Sequence, residues 1–183
     1  MSPRKNFMKK VLLSLLLNLP LLAGNLQLQE GFVAAHTQML LDSRIDPLNT
    51  FLQADISMQG TDITSIRGKF YLQMDLFTSD NKMRDGHMYK AIKVDKYPLA
   101  TYSLSKVTKI QEKDRYQIEG KMNFFGKTRA FTTEAEIILD KGILTLKSQS
   151  VIRMSDFDVQ MPCILFICTR DEVDLFIKAV FVP

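Results

Sequence analysis

Two histidines, His36 and His87, and two cysteines, Cys163 and Cys168, are the chain's whole stock of imidazole and thiol groups. So small a supply leaves little room for a histidine-rich metal centre. The cysteines stand alone at C-x4-C spacing, with no second Cys or His pair beside them, so a zinc site is not indicated. No G-x-S-x-G elbow, glycine-rich phosphate loop, H-E-x-x-H or C-x-x-C occurs. A Ser or Cys nucleophile would need His36 or His87 as its base, and no local pattern marks such a pair. The sequence therefore indicates no catalytic residues, no metal and no cofactor, and the protein is read as a non-enzyme. The one dense polar cluster is Asp80-Asn81-Lys82-Met83-Arg84-Asp85-Gly86-His87-Met88. Arg84 or His87 there could meet the polar head of a ligand, since a guanidinium forks well onto phosphate or carboxylate oxygens. Alternatively Arg84, Asp85 and His87 hold their own loop by hydrogen bonds and an ion pair.

The elements that must position these residues are strands. Apolar and polar residues alternate at Val173–Phe181, Phe131–Leu139, Phe70–Leu76, Tyr116–Phe124 and Leu144–Ile152, the mark of a strand with one buried face. Weaker strands are expected at 31–41, 49–58, 61–68 and 99–109. Phe125-Gly126-Lys127 and Asp140-Lys141-Gly142 read as hairpin turns. The polar stretch Thr78–Val94 is expected to be a loop with one short helix, and Met154–Arg170 a second non-strand segment. About eight antiparallel strands joined by short turns point to an up-and-down barrel rather than a two-sheet sandwich.

Phe70, Leu72, Met74, Leu76, Tyr102, Leu104, Met122, Phe124, Phe131 and Ile137 form the expected inward stripe. They either fill the core or line a lumen for a long apolar ligand. The 10 Met and 12 Phe suit an adaptable apolar lining.

Of the 24 basic residues, Arg4, Lys5, Lys9 and Lys10 fall within the first 24 positions, which hold no acid. Residues 25–183 are thus neutral and lack the basic stripe of a nucleic-acid binder. Basic residues followed by the apolar run 11–23 form a signal-peptide layout, with cleavage expected after Gly24 and the domain at 25–183. The run is short for a membrane span, which needs about 20 apolar residues. Export would place Cys163 and Cys168 where a disulfide can form, although two thiols in an apolar segment fit the spacing equally.

Several motifs, in order, carry a family resemblance. They are the run Gly60–Phe77, Arg84-Asp85-Gly86-His87-Met88, Lys96-Tyr97-Pro98-Leu99-Ala100-Thr101-Tyr102, Ile118-Glu119-Gly120 leading to Phe125-Gly126-Lys127-Thr128, Ser155-Asp156-Phe157-Asp158-Val159, and Arg170-Asp171-Glu172-Val173-Asp174-Leu175. Together they resemble the YceI-like family of exported lipid-binding proteins. Asp158 stands where that family usually has Gly, Cys163 and Cys168 lie outside its pattern, and in the N-terminal region Ile45-Asp46-Pro47 is the best anchor. The resemblance implies a lipocalin-like antiparallel barrel in the periplasm whose apolar lumen holds a polyisoprenoid, an isoprenoid quinone or a prenyl lipid. Arg84, Asp85 and His87 come over only as the motif-bearing loop. The competing expectation is a barrel with a filled core whose block Met161–Cys168 docks to a membrane or to an electron-transfer partner. In the carrier reading that block is a lid or mouth.

Overall fold

The computed structural model describes residues 23–39, 43–110, 113–164 and 167–183. The expected signal peptide lies outside the described residues except for Ala23 and Gly24. The strands in chain order are β1 (Ala23–Met39), β2 (Ser43–Ile45), β3 (Leu48–Asn49), β4 (Gln53–Gln59), β5 (Asp62–Gln73), β6 (Leu99–Lys109), β7 (Arg115–Phe124), β8 (Lys127–Asp140), β9 (Ile143–Arg153), β10 (Cys163–Ile164), β11 (Ile167–Cys168) and β12 (Glu172–Val182). One helix, α1 (Lys82–Ala91), lies between β5 and β6, and 3-10 turns follow β5 at Met74–Leu76 and β9 at Met154–Phe157.

β1, β4–β9 and β12 form a closed eight-stranded antiparallel barrel, with each strand beside its sequence neighbour and β12 returning to pair with β1 from Gln27↔Val182 to His36↔Asp174. Closure removes the exposed edges that an open sheet would leave. The two predicted hairpins are present. Phe125 and Gly126 have φ of 52° and 73°, and Lys141 and Gly142 have 48° and 84°, the paired left-handed residues whose twist suits a two-residue hairpin.

Four expectations are corrected. The alternation at Phe70–Leu76 does not stay extended, because the chain coils into the 3-10 turn from Met74 onward. The expected strands 61–68 and 70–76 are one strand, β5, while 49–58 divides into β3 and β4. The break is held by Asn49, fully buried, whose Nδ2 donates to the Gln73 carbonyl at 2.7 Å while its Oδ1 accepts from the Phe51 N–H at 2.8 Å. Finally, Met154–Arg170 contains the small β10–β11 pair in register Cys163↔Cys168.

The interior is unevenly filled. Toward the end of the barrel that carries the Gln59–Asp62 and Asp140–Ile143 turns, Ile56, Ile66, Ile137, Leu144 and Phe181 are almost wholly buried and pack as a plug. Each such side chain contributes roughly 1.5–3 kcal/mol by leaving water. The other end is capped by α1, the two 3-10 turns and β10–β11.

The wall also has a seam. β8 and β9 pair only from Ala135↔Ser148 to Asp140↔Ile143. Nearer the cap no ladder pairs join them among the described residues. Side chains stitch the opening instead: Thr133 and Ser148 hydroxyls lie 2.9 Å apart, Ser148 donates to the Glu134 carbonyl at 2.8 Å, and Arg129 Nε donates to the Asp156 carbonyl at 2.9 Å.

Candidate functional site

Between plug and cap the side chains leave two chambers. The barrel chamber, about 140 Å³, is bounded by inward residues of the strands, among them Phe70, Leu72, Tyr102, Leu104, Met122 and Phe131. The cap chamber, about 250 Å³, lies beneath α1 and the 154–162 segment and is bounded by Met74, Met88, Met154, Val159, Met161 and Val173 among others. Phe77, Phe124 and Ile152 line both and form their common wall. The two volumes together reach the lower end of the range for ligand pockets, roughly 300–1,000 Å³.

Most of the predicted lumen stripe falls where the alternation puts it. Phe70, Leu72, Tyr102, Leu104, Met122, Phe124 and Phe131 line the barrel chamber. Met74 belongs to the cap chamber, since the 3-10 turn carries it off the barrel wall. Leu76 lines neither chamber for the same reason. Ile137 faces inward but sits in the plug, 0% exposed.

Tyr102 is one of the polar residues on the wall of the barrel chamber, with Thr101, Thr133 and Ser148. Its hydroxyl donates to the Phe131 carbonyl at 3.1 Å, and its ring meets Phe131 edge-on with centroids 6.1 Å apart. Burial, helped by the Glu119 carboxylate, pushes its phenol up to about 12. On β8 and β9 Thr133 and Ser148 present hydroxyls that are already bonded to each other.

The motif loop is a helix, and its residues separate by role. Asp85 is buried and accepts from the Ser79 N–H at 3.0 Å and from the Ser79 hydroxyl at 2.6 Å, which fixes the entry into α1. Asn81 caps the helix by accepting from the Arg84 N–H at 3.1 Å. The Arg84 guanidinium donates to the Arg44 carbonyl, tying α1 to β2. Arg84 and His87 both stand on the rim of the cap chamber. His36 bonds Asp46, but on the outward face of β1, because Ala35 and Thr37 on either side of it point into the cap chamber. That pair is therefore remote from both chambers.

Cys163 and Cys168 are disulfide-bonded and exposed. The bridge closes the small hairpin that begins just after Met161 and Pro162, both on the cap-chamber wall. Sequence reasoning missed Phe77, Met154, Val159, Thr169 and Val173. Phe77, Met154, Val159 and Thr169 reach the chamber from cap segments, where period-2 alternation carries no signal, whereas Val173 begins an alternating strand and was read only as core.

Among the described residues no group of His, Cys, Asp and Glu could hold a metal ion, and no helix is long and apolar enough to cross a membrane.

A closed eight-stranded antiparallel barrel with an apolar, two-chambered interior and a capped mouth defines the class. Within it, the YceI-like domain matches residues 27–181, and the chain belongs to that family. The fold is similar to that of Burkholderia cenocepacia BcnA, at 17% identity and TM-score 0.72 over 82% of this chain and 95% of that one. It is also similar to a polyisoprenoid binding domain from Saccharophagus degradans implicated in plant cell wall breakdown, at 10% identity and TM-score 0.66 over 87% and 98%. The Campylobacter jejuni YCEI protein gives 19% identity and TM-score 0.65 over 78% and 87%. No curated protein sequence matches the chain at a significant level.

The one departure noted in the 155–159 motif has a local cause. Asp158 adopts φ 60°, ψ 25°, the left-handed conformation glycine takes freely. Here the residue is Asp, which tolerates that region better than most, and Lys127 Nζ lies 2.7 Å from its carboxylate.

Proposed function

We propose that the protein is a non-catalytic periplasmic carrier that shields an apolar isoprenoid lipid, a polyisoprenoid or an isoprenoid quinone, from water. The observation that carries this reading is the pair of apolar chambers between plug and cap, which share Phe77, Phe124 and Ile152 as a common wall. Membership of the YceI-like family and the likeness to a polyisoprenoid binding domain support it. Affinity needs no catalytic group: each buried CH₂ contributes about 0.8 kcal/mol, so a few isoprene units suffice for tight binding. The methionines of the cap chamber fit an occupant of irregular shape.

Export rests on the basic and apolar N-terminus, with the mature domain starting near residue 25. Cleavage after Gly24 would cost β1 only its first two ladder positions, Ala23↔Gln59 and Gly24↔Met58. The interior space favours the carrier over the filled-core interaction protein. Peripheral membrane contact fits the cap end, where Leu48, Phe51 and Met83 are exposed. Native mass spectrometry of the protein purified from periplasm, followed by organic extraction, tests the proposal. A stoichiometric isoprenoid is the expected result. A ligand-free mass that ignores added quinone would return the interaction-protein reading.

A further inference from the structure

Both ends of the barrel are closed, one by the plug and the other by the cap, so whatever occupies the barrel chamber must displace one of them or pass through the wall. Around the chamber, ladder hydrogen bonds hold the strands together except at two places among the described residues. The first lies between β1 and β4, where no ladder pairs occur from Leu26↔Ile56 to Val33↔Asn49. That gap is filled. Leu52 is buried over Gly31, so close that a Cβ on the glycine would stand 3.0 Å from Leu52 Cδ2, and of the residues in the outer groove there only Leu52 also lines the chamber.

The second place is the β8–β9 seam, and it is thinner. Beyond Ala135↔Ser148 the strands part toward the cap, and an outer groove of about 620 Å³ lies between Arg129–Phe131 on β8 and Val151–Arg153 on β9. A second groove continues it along Thr132–Glu136 and Lys147–Val151. Phe131 and Ile152 line the first groove and the barrel chamber alike, while Thr133, Ser148 and Ile177 line the second groove and the chamber. Single side chains therefore separate the chamber from the surface here. The strands are held across the seam by three kinds of side-chain contact: the Thr133 and Ser148 hydroxyls at 2.9 Å, Ser148 donating to the Glu134 carbonyl, and Arg129 Nε donating to the Asp156 carbonyl. Side-chain bonds can break without unzipping a ladder, so this is the part of the chamber wall that opens most cheaply.

Resting on the carrier reading, we propose that the β8–β9 seam is a lateral portal through which an apolar chain enters and leaves the barrel chamber, with Phe131 and Ile152 as its gate and the Arg129–Asp156 and Thr133–Ser148 contacts as its latches. A methyl-branched chain is narrow, and parting two strand segments that are already unpaired admits it while plug and cap stay in place. The portal is a route and not a contact of the bound state. Closing it slows entry and exit by the same factor and leaves the affinity unchanged.

The experiment follows a geranylgeranyl-tailed naphthoquinone, whose uptake quenches the tyrosine emission of a chain without tryptophan and whose release to phosphatidylcholine vesicles restores it. Thr132→Cys/Val151→Cys places one thiol on each bank of the groove, at residues that line neither chamber. Cys163 and Cys168 are bridged to each other, so a bismaleimide links only the new pair, and mass spectrometry measures the linked fraction. Linking is expected to slow uptake and release together by at least about tenfold at unchanged affinity, while the unlinked double variant exchanges as the parent does. Arg129→Met, which keeps the length of the side chain without its donor, is expected to speed both rates about three- to tenfold, as for one lost hydrogen bond. Asn81→Ala removes the cap of α1 and is expected to leave exchange as it was. Linked protein that exchanges at the parental rate would overturn the portal and leave the carrier reading standing. Faster exchange in Asn81→Ala, with Arg129→Met at the parental rate, would overturn it as well and move the route to the cap. If the quinone binds none of these forms, the carrier reading falls and the portal with it.

Discussion

The ring of Tyr102 occupies the space that a side chain at position 120 would need. A Cβ on Gly120 would stand 2.6 Å from Tyr102 Cζ, 2.7 Å from its hydroxyl oxygen and 2.4 Å from the Ser103 carbonyl oxygen. Two of these are atoms of the aromatic side chain and one is backbone, so neither strand can yield cheaply. The glycine lets Tyr102 lie against β7 and reach the Phe131 carbonyl on β8, at the wall of the barrel chamber. Gly120→Ala is expected to destabilise the protein by about 1–3 kcal/mol, as overpacking of a filled site does. Denaturant unfolding measures the loss, and an unchanged midpoint would contradict the contact.

Tyr102 also predicts an alkaline signature. Its neutral phenol is favoured in the folded barrel by burial and by the Glu119 carboxylate, which raises it to about 12 against 10.0 for the free group. Burial and the nearby Asp85 and Asp75 raise Tyr89 as well. A raised phenol contributes stability that is complete below pH 10 and is lost as pH climbs toward 12, because the unfolded chain gives up its proton first. Spectrophotometric titration should show a late-ionising fraction of the five tyrosines. Tyr102→Phe should remove its most alkaline component.

Asp158 gives the acid counterpart. The hydrogen bond and charge of Lys127 hold its carboxyl below the usual carboxylate range, and the Thr64 hydroxyl and N–H do the same for Asp62. Depressed carboxyls stabilise the fold above about pH 4 and cease to do so as pH falls through their folded values. Asp158→Gly should flatten this part of the acid limb while relieving a left-handed non-glycine residue. A thermal melt at neutral pH is expected to show an unchanged or slightly higher midpoint, and the difference from the parent should shift in the variant's favour on acidification.

Filling the barrel chamber should separate binding from stability. Ala100 lies on its wall, and Ala100→Leu adds three carbons to a space of about 140 Å³. If the proposed carrier function holds, the expected outcome is loss or shortening of the bound isoprenoid with stability raised by up to about 2 kcal/mol, at about 0.8 kcal/mol for each added carbon. Retention of the same lipid at the same stoichiometry would argue that the occupant lies elsewhere.

The seam between β8 and β9 should be visible in hydrogen exchange. Amides of Arg129–Thr133 and Gln149–Val151 that face the seam lack ladder partners, whereas their neighbours on the same strands pair with β7 or β12. Alternate amides in these stretches are expected to exchange fast, while the plug region around Ile137 and Leu144 exchanges only by global opening. Uniform protection along β8 would contradict the seam.

Period-2 alternation was enough to place β7, β8, β9 and β12 and to turn Phe70, Leu72, Tyr102, Leu104, Met122, Phe124 and Phe131 inward, because in a strand the face of a residue follows from its parity alone. The two type of turn with left-handed residues at Phe125-Gly126 and Lys141-Gly142 were local in the same sense. Parity cannot say how far along the barrel axis a residue lies, so it did not distinguish Ile137 in the plug from Phe131 at the chamber. It also fails once the chain leaves the strand, which is why Met74 and Leu76 were misplaced. The cap chamber is assembled from Thr37, Met74, Met88, Met154 and Thr169, residues from separate elements brought together by β12 returning to β1 and by α1 folding over the mouth. Local periodicity and turn chemistry determined antiparallel strands with one apolar face, and the ordered family motifs implied the barrel they close into. Only the tertiary structure decided which part of that lining is plug and which is cavity, because burial depth depends on contacts between residues far apart in the chain.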